Sequence, residues 1–137
     1  MSEIDETIEV LERNAALAVE RFDPLVDFAF GRDRRSVEWL DGFIERQRVR
    51  PDLAPTTRDG LVDVLGSFLG ACIVAESTGR WHVDPEHGVA VRFPDGAMCF
   101  PFAKVGKQFA DGNEAGESIA SFHRFAVDHV AAGELGR

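Results

Sequence analysis

Tyrosine is absent from this sequence and lysine nearly so, with two lysines standing against thirteen arginines. That ratio points to a GC-rich bacterial genome. Cysteine is equally sparse. Cys72 and Cys99 are too few for a disulfide framework, and both are expected to stay thiols in a reducing compartment. No apolar run approaches the roughly 18 residues a membrane-spanning helix needs. The longest, Leu61 to Ala75, is broken by Asp63, Gly66, Ser67 and Gly70. The opening Met1-Ser2-Glu3-Ile4-Asp5-Glu6 is acidic where a secretory leader is basic, so a cytoplasmic location is expected. Also missing are a phosphate-binding glycine loop, a dinucleotide fingerprint, a nucleophile elbow and a paired His-Glu zinc motif. The sequence therefore names no catalytic class.

What is present is a chain of 137 residues, the usual size of one domain, with eleven phenylalanines and two tryptophans as core material. Its net charge is −9, and the distribution is uneven. Residues 1–30 hold eight acids against Arg13 and Arg21. Residues 31–50 hold six arginines against four acids. An acidic chain repels phosphate-rich partners, so neither nucleic acid nor an anionic membrane is expected to bind. The arginine-rich stretch reads as a solvated, salt-bridged helix face.

Along the chain, the region 1–55 is helical. Ser2 caps a first helix whose stripe is Ile4, Ile8, Leu11, Ala15, Ala18 and Phe22, closed by Asp23-Pro24. Leu25 to Phe30 reads as a short helical turn ending at Gly31. A second helix is expected from a Ser36 cap to about Arg48, with Val37, Leu40 and Ile44 inward. A central helix over 57–78, capped by Thr57, carries Gly66 and Gly70, where a neighbouring backbone is expected to approach closely. From Arg80 the period becomes alternating, and short turns imply an antiparallel meander over 80–102. Its strands are Arg80–Val83, Val89–Phe93 and Ala97–Phe102, with Pro101 at a strand end or edge. The inner face takes Trp81, Val83, Val89, Val91 and Phe93, with either Ala97/Cys99 or Met98/Phe100/Phe102, depending on register. Residues 103–131 are read as two C-terminal helices, the first Ala103 to Ala110 and the second capped by Ser118 with Ile119, Phe122, Phe125, Ala126 and Val130 on its inner side. A frayed tail over 132–137 is expected to follow. The fold class is thus α+β: one domain, a three-stranded antiparallel meander against four to five helices, the C-terminal helix last.

Candidate chemistry is thin. His82, Asp84, Glu86 and His87 cluster within six residues, yet lack a third histidine or a cysteine pair for zinc. Cys99 with His82 or His123 would make a Cys–His pair, but Cys99 lies mid-strand, and nucleophiles favour strand ends and helix N-termini. Cys72 reads as core packing. No metal ligand set, cofactor or catalytic residue is assigned. The candidate ligand or partner surface is Trp81, His82, His87 and Arg92. A dispersed enzyme site would draw on Trp81, His82, Arg92 and His123.

One stretch carries a resemblance. Leu65-Gly66-x-x-Leu69-Gly70, then Gly79-Arg80-Trp81, Pro101-Phe102 and Val105-Gly106-Lys107 resembles an uncharacterised bacterial family, a domain of unknown function. The likeness covers about residues 61–126. Its motifs are packing motifs, so the resemblance implies a fold and a bacterial origin and no activity. The expected function is non-catalytic protein binding, as an adaptor, immunity-type inhibitor or chaperone. A homodimer is also expected, because Phe28, Phe30, Trp39, Phe43, Phe100, Phe102 and Phe109 lie beyond the clear stripes.

Overall fold

The structure is a computed structural model that describes residues 2–135, with side chains described for residues 2–128. Helix α1 (Glu3–Phe22) starts where the Ser2 hydroxyl accepts the Asp5 N–H at 3.1 Å. Leu11, Ala15, Ala18 and Phe22 are buried, but Ile4 is 53% exposed, so docking begins one helical turn later than the stripe implies. A single 3-10 turn, Asp23–Leu25, replaces the expected turn over 25–30. The chain beyond it is clipped by Phe30 N–H donating to Asp23 Oδ1 at 3.0 Å.

Helix α2 (Arg34–Arg48) is capped by Asp33, which accepts the Ser36 N–H at 2.9 Å, and not by Ser36. Ser36 lies buried inside the first turn, where its hydroxyl accepts the Gly31 N–H. Helix α3 (Pro55–Glu76) begins before Thr57, because Pro55 occupies the first helical position, where its missing N–H costs nothing. Every residue from Leu65 to Ile73 on α3 is buried, as befits a helix apolar all round.

The sheet has β1 (Arg80–Asp84), β2 (Gly88–Arg92) and β3 (Met98–Cys99) in the order β1-β2-β3, both pairs antiparallel. The register aligns Trp81 with Val91, Val83 with Val89 and Val91 with Cys99. It therefore selects Ala97/Cys99 as the inward set of the third strand. That strand is shorter than expected: Pro101 does not end a strand at 102 but opens helix α4 (Pro101–Asp111). Helix α5 (Ile119–Leu135) follows a 3-10 turn at Asn113–Ala115 and runs through most of the stretch expected as a tail. Gly136 and Arg137 of that tail, and the side chain of Val130, lie outside the described residues.

The buried side chains of α1, α2, α3, β2, α4 and α5 form one cluster. The aromatics that looked surplus are largely absorbed. Phe22, Phe28, Phe30, Trp39, Phe43 and Phe68 stack or meet edge-on, with ring centroids 5.0 to 6.4 Å apart. The arginines between them also have structural partners. Arg35 lies 4.2 Å over Phe28, and Arg32 pairs with Glu12 at 2.7 Å. Arg48 donates to the Phe109 and Ala110 carbonyls at the end of α4.

Gly66 and Gly70 seat aromatic rings and not a neighbouring backbone. A Cβ at Gly66 would stand 2.5 Å from the Phe102 ring, and one at Gly70 would stand 2.2 Å from Trp81. Gly60, on the same helix, would meet nothing within 4 Å. Two substitutions of identical chemistry should therefore have opposite signs. Gly70→Ala is expected to destabilise by about 1–3 kcal/mol through overpacking. Gly60→Ala should stabilise by up to about 1 kcal/mol through lost chain entropy. Urea denaturation of both variants checks the pair, and equal shifts would show that Trp81 does not seat on Gly70.

Candidate functional site

The junction between β3 and α4 sets up the site. Phe100, extended at φ −122° and ψ 87°, precedes Pro101, and the chain passes from strand to helix with no loop between. Phe100 and Phe102 flank the turn, and Phe102 lies against Gly66 of α3. Helix α5 closes the other side. Its first three N–H groups are each satisfied: Ile119 by Gln108 Oε1 at 2.8 Å, Ala120 by Asp41 Oδ2 at 3.0 Å, and Ser121 by the Ser118 hydroxyl at 3.2 Å. Ser118 is thus a cap, as its position in the sequence implies.

Between these elements lies an open cavity of about 800 Å³. The sheet and its turns contribute His87, Val89, Phe93, Ala97, Met98, Cys99 and Phe100. Helix α4 adds Phe102, Ala103, Lys104 and Lys107, and α5 adds Phe122, Phe125 and Ala126. Its wall is almost wholly apolar. Phe125, expected on the inner side of α5 with Ile119 and Ala126, is instead 75% exposed, because those two smaller residues take the core-facing positions; it stands at the mouth with Met98, 36% exposed.

Few ionisable groups reach it. Lys104 Nζ donates to Glu117 Oε2 at 2.7 Å and to the Gly116 carbonyl at 3.3 Å. That hydrogen bond, with the charges of Lys104 and Lys107, holds the Glu117 carboxyl below the usual carboxylate range. His87 lies at the rim with its Nδ1 2.8 Å from Asp84 Oδ2 and its ring 5.7 Å from Phe100. Asp84 also accepts the Glu86 and His87 N–H groups, and the His87 contacts lower its pKa. Burial pushes the Cys99 thiol up to about 12. Burial likewise raises Cys72. The wall can hold an apolar group, and its one thiol is kept protonated.

The residues singled out from sequence are scattered. Trp81 faces inward on Gly70, and its indole N–H donates to Glu12 at 3.2 Å. His82 sits opposite Ala90 on the other face of the sheet, half-buried and not turned fully to solvent. Arg92 is exposed on that face, opposite Arg80 and Met98. His123 is fully buried, with Nε2 2.9 Å from Glu76 Oε1 and Nδ1 unpartnered among the described residues. Trp81, His82, Arg92 and His123 therefore do not converge, and of the candidate surface only His87 lines the cavity. Among the described residues, no three histidine, cysteine, aspartate or glutamate side chains gather as metal ligands. Nor is any helix among them long and apolar enough to cross a membrane.

Sequence reasoning missed Phe100, Phe102, Lys104, Lys107, Phe122 and Phe125 as a group. The readable signal was the lysines themselves. The chain holds only two, three residues apart on one helix, and both line the cavity.

The state of Cys99 can be tested directly. Maleimide labelling of the native protein at neutral pH should run at least about a hundredfold slower than labelling of a free thiol, because so little thiolate is present. Labelling at the free-thiol rate would overturn the buried, protonated assignment. No protein-family model, curated protein or solved structure matches this chain.

Proposed function

We propose that this protein is a non-catalytic binding module whose binding surface is the cavity between β3, α4 and α5. The carrying observation is a concave apolar site of about 800 Å³ within a small domain whose other aromatics are packed away. Sites for small ligands have this size and this lining, with a few polar groups at fixed places. The same wall argues against catalysis. Burial keeps its thiol protonated, so the wall offers no activated nucleophile.

A second reading, self-association as a homodimer, draws on the exposed Phe125 and Met98 at the mouth. A copy seated there would cover the cavity and compete with any ligand. Both readings are separated by titrating the protein with the neutral fluorescent probe N-phenyl-1-naphthylamine. Saturable binding by a monomer is expected, with probe affinity independent of protein concentration. Ala103→Phe, an exposed position on the cavity side of α4, should weaken the probe at least about tenfold by filling the site, with an unchanged melting temperature. Probe release as a dimer forms would favour the second reading. Absence of saturable binding would sink the first.

A further inference from the structure

The cavity's charge identifies what it takes. Resting on the binding reading above, we infer that its ligand is a single-chain amphipathic anion, a carboxylate on an apolar tail, with the head at Lys107 and the tail against Phe100, Phe102 and Phe122.

The tail follows from the wall. Phenylalanine, methionine, valine, alanine and the protonated Cys99 offer an approaching polar group almost nothing, so most of the occupant is apolar. The head follows from the lysines. In a chain of net charge −9, both lysines line this one cavity. Lys104 is occupied by Glu117 and the Gly116 carbonyl. Lys107 has no hydrogen bond and no ion pair among the described residues, so its ammonium is the one left over. Two amines thus stand at the cavity beside Glu117, and Lys107 is the one that the carboxylate does not hydrogen-bond. Helix α4 reinforces the sign. No side chain caps its first turn, whose Phe102 and Ala103 line the same cavity, and the positive end of the helix dipole lies there. Asp84 is directed to His87 and to two backbone N–H groups, and no ion pair joins it to Lys107 among the described residues.

The same count sets the charge of the ligand. One free ammonium suits a monoanion. A phosphate cluster or nucleic acid needs several cations together, and the remaining surface would repel it.

The test displaces N-phenyl-1-naphthylamine from the full chain with dodecanoate, dodecanol or dodecyltrimethylammonium, each below its micelle concentration, at about 0.05 M salt so that screening is weak. Dodecanoate is expected to bind at least about tenfold more tightly than either of the others. In Lys107→Gln that preference should fall below about threefold, while Lys107→Arg should retain it. The affinity of each variant for the neutral probe and for dodecanol is its own reference, so the preference is read as a ratio within one variant. Equal affinity of the three compounds, or a preference indifferent to Lys107→Gln, would overturn the anion inference and leave the apolar binding site standing. Binding to phosphatidylglycerol vesicles without binding of free dodecanoate would also overturn it, in favour of a membrane surface. Failure of the neutral probe to bind the unaltered chain would instead remove the binding reading beneath it.

Discussion

The Asp41 carboxylate holds the helical half of this molecule together. It is 8% exposed, and a charge so placed is tolerable only when donors surround it. Ser118 Oγ, the Ala120 N–H, Gln108 Nε2 and Asn113 Nδ2 all donate to it. Those donors belong to α4, the turn after it and the start of α5, so one side chain on α2 fixes three later elements. Gln108 doubles the link: its amide nitrogen donates to Asp41 and Glu45, and its oxygen accepts the Ile119 N–H. A negative charge at the start of α5 also meets the positive end of that helix. Replacing either residue with an apolar one would strand several buried donors, each an unpaired group of the kind that costs about 1–3 kcal/mol.

The second constraint is steric and acts on α3. Glycine weakens a helix by about 0.5–1 kcal/mol at each position, so Gly66 and Gly70 need a return. They receive it as rings: Phe102 fills the space above Gly66, and Trp81 with Pro101 fills that above Gly70. Through those contacts α3 positions both the first strand and the start of α4. At the far end of α4 the constraint on Gly112 lies in the backbone. Its φ of +83° with ψ 168° is a backbone conformation that essentially glycine alone adopts. The cavity is therefore framed by rigid contacts on the α3 and α4 sides, and α5 is held in place by Asp41.

These constraints explain what could be read from the sequence. The α+β class, the element order and the meander were legible because periodicity turns alternating at Arg80 and helical again after the meander, and short turns allow only antiparallel pairing. The stripe Leu11, Ala15, Ala18, Phe22 was legible for the same reason. Boundaries were less so. Ser36 and Thr57 are good caps in isolation, but Asp33 and Pro55 compete for the same ends and win. Pro101 signalled a break correctly, yet a proline that ends a strand and one that starts a helix look alike one residue at a time. The strand register settled which face of β3 is buried, and register depends on pairing that no local pattern encodes. Trp81, His82, Arg92 and His123 attract notice as residue types, but alternation puts Trp81 on the face opposite His82 and Arg92, and His123 is buried on α5.

The cavity could not be read locally, because it exists only where β3 stops. Had the third strand run on to Phe102, alternation would have placed Phe100 and Phe102 together on the face opposite Cys99, as one more apolar sheet surface. The turn into α4 at Pro101 interrupts that alternation. Phe102 is carried onto α3 at Gly66, Phe100 stays beside His87, and Lys104 and Lys107 arrive on the next turns of the same helix. One proline thus converts an edge strand into a walled apolar site with a cationic rim. It also shortens the β3 edge of the sheet to two residues, which limits strand-to-strand pairing there, while β1 keeps an edge of five residues. The same feature that walls the cavity thus shortens the sheet edge beside it, and Phe125 and Met98 stand exposed at the mouth.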